Sequence, residues 1–200
     1  MKVYIAIAII GFIAVATFVG IGIVGSGIAT YNTLVTLQET SKKQWANVEN
    51  QYERRSDLIP NLVEVVKGYA SHERGTLKEV IEARAKATQT KVDINDVGSI
   101  AKFQAAQGEL SSALARLMVV VEKYPELRAI EEFKKLHDDL AGTENRIAYE
   151  RQKYNQDATD FNIARRRPFA IVVILIIGNF NELPLFQATE GKKGVPTVKF

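Results

Sequence analysis

The chain contains no cysteine. Disulfides, thiolate nucleophiles, cysteine-ligated zinc and iron–sulfur clusters are therefore excluded. The compartment stays open, because a cysteine-free protein suits either redox side of a membrane. Histidine is almost as scarce, with only His72 and His137. His72–Glu73 is followed by Arg74, Gly75 and Thr76, so neither histidine belongs to an H-E-x-x-H pair. A zinc site would need distant residues plus carboxylates, and His72 reads as a polar surface residue. G-x-S-x-G is absent, and no Ser–His–Asp arrangement can be read. Asp138 and Asp139 are adjacent and would not share a helix face, which makes them a poor catalytic pair. Glu131 and Lys135 have the spacing of a stabilising surface pair. Excess charge is missing too: 26 Lys and Arg face 23 Asp and Glu, a net of +3. That is too little to argue for nucleic acid. Nothing here calls for a metal or cofactor, and no catalytic residue stands out.

What is abundant is apolar sequence, concentrated at the N-terminus. Val3–Val24 carries no charge. As a helix it would be about 33 Å long, against a hydrocarbon core of about 30 Å. A transmembrane anchor over residues 1–30 is the expectation. A cleaved signal peptide competes, since Gly27 and Ala29 are small enough for a cleavage site. Against it, the run exceeds the usual h-region and Lys2 is the lone n-region cation. Gly20, Gly22 and Gly25 also spell G-x-G-x-x-G, with Glu39 further on. That fingerprint needs a short strand before it and further βαβ units after it. Helical sequence follows instead, so these read as glycines of a membrane helix. Their spacing would let a second such helix approach, giving weak support to homo-oligomers.

Beyond Thr30 the apolar residues recur with helical period until about Ile163. Leu34, Leu37, Trp45, Val48 and Tyr52 mark a first stretch, 31–57. Leu62, Val63, Val66, Tyr69, Leu77, Val80 and Ile81 mark a second, 60–89. Pro60 either opens this second helix or kinks a continuous one. KVDINDVGS (91–99) reads as a loop. Phe103, Leu110, Leu114, Leu117, Val121 and Tyr124 mark a third stretch. Pro125 ends it and opens a fourth, with Leu127, Ile130, Phe133, Leu136, Leu140, Ile147, Tyr154 and Phe161. The stripe runs through Gly142, which predicts an unbroken helix there and a close approach of a neighbour. Helices of similar length with short links pack as an antiparallel bundle. The predicted fold class is thus all-α: a transmembrane helix, a four-helix bundle over 31–165, and an apolar, irregular tail over 166–200.

Several strings make the chain resemble the LemA family. They are YNTLVTLQE (31–39), W-x-N-V (45–48), ERRSDLIPNLVEVVKGYASHE (53–73) and E-A-R-A (82–85). LSSALARLMVVVEKYPELRA (110–129), GTENRIAYERQKYN (142–155) and the closing PTVKF (196–200) continue the likeness, in order. The resemblance implies one N-terminal anchor and an all-helical domain with no established molecular activity. It also implies relatives in magnetosome membranes, and others encoded beside membrane-associated partner proteins. One departure is clear: PFAIVVILIIG (168–178) is far more apolar than the family's usual segment there.

Two groups of polar residues stand out. One is Arg54, Arg55, Asp57, Asn61 and Glu64, around Pro60. The other is Glu144, Asn145, Arg146 and Arg151. Asn145 falls near the apolar stripe of the fourth helix, where an unpartnered polar group would cost on the order of a few kcal/mol. These groups form either an internal network tying the fourth helix to the Pro60 region, or a surface for a partner.

In an up-down bundle the end of the fourth helix lies beside the start of the first. Arg165, Arg166 and Arg167 are therefore expected near the lipid surface. Phe169–Ile177 is too short to span. It either dips into the interface while the arginines meet anionic headgroups, or packs on the bundle as a short strand or cap. The basic cluster, with Lys42 and Lys43, favours a cytoplasmic bundle. The expected protein is a single-pass, non-enzymatic scaffold of the bacterial inner membrane, touching the bilayer and unidentified membrane-associated proteins. The competing reading is a carboxylate-dependent hydrolase with a site inside the bundle. A concave pocket with convergent titratable groups would favour it. A signalling relay is a weaker third, with no phosphotransfer histidine arrangement visible.

Overall fold

The computed structural model describes residues 2–178 and 180–187; the PTVKF string at 196–200 lies outside them. Among the described residues the fold is all helix with no strand. Its elements are α1 (Lys2–Tyr69), α2 (Arg74–Gln89), α3 (Val97–Val121), α4 (Pro125–Ala129), α5 (Glu131–Arg165) and α6 (Pro168–Ile177).

The apolar N-terminal run and the first bundle helix are one object. α1 continues for 68 residues, from the uncovered apolar stretch into the core. Phe12 and Phe18 are 76% and 81% exposed, and nothing in the described chain covers the apolar window. Burial begins at Leu34.

The same helix continues through Pro60, so of the two readings the continuous helix holds, and the break falls instead at Ala70–Glu73. Proline normally breaks a helix interior because it has no N–H for the carbonyl four residues back. Here that carbonyl belongs to Ser56. Arg84 of α2 donates its Nε–H to it at 2.7 Å. A tertiary hydrogen bond thus replaces the missing helical one, and Pro60 itself faces solvent.

The 91–96 loop is built by side-chain turns. Asn95 N–H donates to Asp93 Oδ1 at 2.9 Å, and Asp96 caps α3 by accepting from Gly98 N–H at 2.8 Å. Pro125 starts a helix as expected, but the fourth stretch is not continuous. Ile130 is extended (φ −69°, ψ 130°) and separates five-residue α4 from α5. That break lets Leu127 bury completely before α5 sets off along α1. α5 runs unbroken through Gly142. The close approach expected there is absent: a Cβ on Gly142 would meet nothing within 4 Å.

α1 and α5 are antiparallel, as the pairings Gln44–Glu150 and Arg55–Glu144 show. α2 and α3 are antiparallel through Lys86–Glu109 and Glu79–Arg116. Two core clusters follow. The distal one joins Ile59, Leu62, Val66, Val80, Leu117 and Phe133 across the helices. The other lies nearer the apolar stretch and joins Leu34, Trp45, Phe103, Tyr154 and Phe161. α3 begins only at Val97, beside the Trp45–Tyr52 level of α1. Beyond it, α1 and α5 would form a bare pair of helices. The tail covers them: α6 packs on α1 and α5, and the extended residues 180–187 lay Phe180, Leu183 and Phe186 into the same cluster. The segment 169–177 is therefore a helix, not a strand.

Candidate functional site

The first polar constellation centres on Arg55. Its side chain is 2% exposed, on the face of α1 that meets α3 and α5. Nη1 donates to Glu144 at 2.7 Å and to Ser111 at 3.1 Å, and Nη2 donates to Gln107. The guanidinium also sits 5.2 Å from the Tyr52 ring centre. Arg55 Nε has no partner among the described residues. A buried cation must find charge and acceptors nearby. This one finds both, and thereby ties three helices together. The Tyr52 hydroxyl is raised by its burial, against the pull of Arg151 and Arg55.

Of the residues singled out from sequence, the fold brings Arg55 and Glu144 together. Arg54, Asp57, Asn61 and Glu64 of the first group are exposed, as are Asn145 and Arg146 of the second. Asn145 lies off the buried stripe, because Thr143 and Ile147 carry that face instead. Arg151 reaches the tail, with Nη2 3.2 Å from the Gln187 carbonyl and its guanidinium 4.5 Å from the Phe186 ring centre.

The second constellation holds that tail, and sequence reasoning missed it. An extended segment laid on helices leaves its backbone N–H and C=O groups without a ladder. Side-chain amides take the ladder's place, since an amide can donate and accept at once. Asn162 donates to the Leu183 carbonyl at 2.8 Å and accepts from its N–H at 3.0 Å. Asn155 does the same for Phe186, at 3.0 and 2.9 Å. Gln104 of α3 donates to the Gln187 carbonyl at 2.6 Å and accepts from its N–H at 3.4 Å. The spacing explains the fit. Seven helical residues rise about 10.5 Å, and three extended residues cover about 10 Å. Asn155 and Asn162 thus meet Phe186 and Leu183 in register. Tyr154 adds a hydrogen bond to the Pro184 carbonyl at 3.0 Å, and burial pushes its hydroxyl up to about 12. Trp45 stacks on Phe186 with ring centres 5.5 Å apart. The i, i+7 asparagines on α5 were the available signal.

Arg165 and Arg166 are also committed to the tail. Arg165 donates to the Phe180 carbonyl at 3.0 Å, and both arginines pair with Glu182, at 3.5 and 2.7 Å. Arg167 makes no ion pair among the described residues. It stands beside Thr30, Thr33 and Leu34, where the apolar stretch of α1 ends.

A surface cleft of about 420 Å³ opens between α1, α2 and α3, with Glu49, Glu53, Asp57, Arg84 and Lys91 in its walls. Among the described residues, no three His, Asp or Glu side chains gather closely enough to share a metal. His72 lies exposed in the α1–α2 turn. His137 stands beside Asp138 at 3.6 Å and stacks on Phe133.

An all-helical bundle continuous with an exposed apolar helix defines a class of membrane-associated helical proteins. The LemA family pattern matches residues 44–200, and the chain belongs to that family. It is 27% identical over 177 residues to magnetosome protein MamQ 2 of Paramagnetospirillum magneticum, covering 79% of this chain and 63% of that one. It is 29% identical over 153 residues to magnetosome protein MamQ of Magnetospirillum gryphiswaldense, covering 67% of this chain and 56% of that one. The chain thus spans less than two thirds of the length of these relatives.

Proposed function

We propose that the protein is a non-enzymatic scaffold at the bacterial inner membrane, held by one span and presenting its bundle to protein partners on the cytoplasmic side. The observation that carries this reading is the continuity of α1. A single helix leads from the exposed apolar stretch to the buried core at Leu34, with no linker between. A flexible linker would let the bundle swing freely, whereas a continuous helix fixes its height and orientation over the bilayer. The internal use of Arg55 and of the α5 asparagines supports the same reading, since these groups are spent on rigidity. The magnetosome names of the relatives agree with a membrane setting. The test uses the full chain in native membranes. It should resist carbonate extraction, and a reporter fused after Phe200 should be active only as a cytoplasmic reporter. Photo-crosslinkers placed at exposed Arg54, Asn61 and Asn145 should yield discrete protein adducts. Carbonate release, a periplasmic reporter signal, or an absence of protein adducts from all three positions would each overturn the corresponding part.

A further inference from the structure

Helix α6 has no polar face. Ala170 and Val173 are buried against the bundle, while Ile171, Val172, Leu175, Ile176 and Ile177 are exposed. Leu175 and Ile176 stand 81% and 79% open. A helix that is apolar all round is normally covered on every side, and an exposed apolar patch of this kind marks an interaction surface. Its place in the fold says what covers it. The N-terminal end of α6 packs with Phe169 and Ala170 around Thr30, Thr33 and Leu34 of α1. Phe180, three residues past its other end, sits edge-on against Tyr31 with ring centres 5.8 Å apart. Three residues can reach at most about 10 Å whatever their conformation, so both ends of α6 are held near the level where the apolar stretch of α1 stops. Upstream of that level α1 exposes Ile21, Ile23, Val24 and Ile28, so the open face of α6 continues an apolar surface already present. The chain that follows α6, the strap of residues 180–187, is fastened to α5 through Arg165, Asn162 and Asn155.

We infer that α6 is a second membrane contact, a short helix lying in the interfacial layer with Val172, Leu175 and Ile176 in lipid. This rests on the reading of α1 as a membrane span. At ten residues α6 is too short to cross the bilayer, which takes about 20. An interfacial helix buries its apolar side about 5–10 Å deep. Since Arg165 and Arg166 are paired with Glu182, the contact is carried by apolar burial, with Arg167 the cation left at its edge. With α6 as a second attachment point, the orientation that continuous α1 sets is reinforced against tilting.

The absence of cysteine makes the test direct. Val172→Cys, Leu175→Cys and Ile176→Cys are introduced one at a time into the full chain, with Ile13→Cys and Lys135→Cys as references. Each protein is labelled with a nitroxide and reconstituted in phosphatidylcholine–phosphatidylglycerol vesicles. Accessibility to dissolved oxygen is compared with accessibility to a water-soluble nickel chelate. The expected result is oxygen-dominated relaxation at 172, 175 and 176, as at 13, and nickel-dominated relaxation at 135. Nickel-dominated relaxation at all three α6 sites, with 13 still in lipid, would overturn the inference and leave the span intact. Position 13 open to nickel would overturn the span and the inference together. Labels at 175 and 176 shielded from both reagents, or broadened by spin–spin coupling, would show that protein covers the face, a second copy in the latter case, and would also overturn it.

Discussion

Replacing Asn162 with leucine tests whether side-chain amides hold the tail. Asn162 is buried, and its amide satisfies both the N–H and the carbonyl of Leu183, which is itself buried. Asn162→Leu keeps the volume and deletes both partners. Each buried backbone group left unsatisfied costs about 1–3 kcal/mol. Burying the new apolar side chain returns about 2 kcal/mol. The two groups together cost about 4 kcal/mol at mid-range, so the net loss is about 2 kcal/mol, and it falls on the tail, because residues 180–187 can lift while the helices stay packed. For amides that exchange through that opening, about 1.4 kcal/mol is a factor of ten, so exchange at Leu183 and Phe186 should accelerate about 30-fold. The assay is hydrogen exchange read by NMR on a chain starting at Tyr31, which retains every buried residue of the bundle. Amides of α3 and the distal half of α5 should keep their protection. Asn155→Leu should act alike, and the double variant should lose less than the sum, because both asparagines hold one strap. Unchanged exchange at Leu183 and Phe186 in Asn162→Leu would refute the reasoning.

The remaining expectations concern the bundle. Arg84→Ala should cost about 1.5–3 kcal/mol by stripping the guanidinium donor from the Ser56 carbonyl. Pro60→Ala, which restores a helical N–H to that carbonyl, should recover part of the loss, and additive effects in a double-mutant cycle would contradict this account. Arg55→Ala should lower the thermal midpoint, by about 1.5–3 kcal/mol in stability, since it leaves buried Gln107 without its donor while half-exposed Glu144 turns to water. Glu144→Gln should cost about 1 kcal/mol, because that side chain is 58% exposed and water screens it; equal losses would place the Glu144 charge in a drier site. Tyr154 ionises near 10 when unfolded and at about 12 when folded. Its contribution is therefore present below pH 10 and lost as pH rises from 10 to 12. Tyr154→Phe should cost about 1 kcal/mol at neutral pH and show a shallower alkaline loss of urea stability; parallel pH profiles would contradict the assignment. Asn145→Leu, at an exposed position, should stay within about 0.5 kcal/mol of the parent by thermal melting.

Much of the fold was legible along the chain, and the misreadings have physical causes. The stripe from Leu34 to Phe161 located the helices, because helical period reports which face each segment buries. At Pro60 it left a new helix and a continuous one both open, because the donor that favours continuity, Arg84, lies on another helix, 28 residues away. It failed at Ile130 because an apolar residue keeps the stripe whether its backbone is helical or extended. Asn145 was placed on the wrong side of a boundary, since a residue next to an apolar stripe can fall on either side of it. Asn155 and Asn162 were passed over because their partners are backbone groups, which leave no trace in residue type.

The amino-acid sequence by itself determined an all-helical chain, an uncharged apolar run long enough to cross a bilayer, LemA membership, and the absence of cysteine chemistry. These depend on composition and on order over a few turns. Tertiary structure alone decided that α1 is continuous through Pro60, that Arg55 meets Gln107, Ser111 and Glu144, and that the tail returns to cover the bare end of the α1–α5 pair. Each of those needs groups 15 to 89 residues apart to meet within hydrogen-bond range. Only packing of the whole chain specifies such distances, because local periodicity says which side of a helix is buried and not what it is buried against.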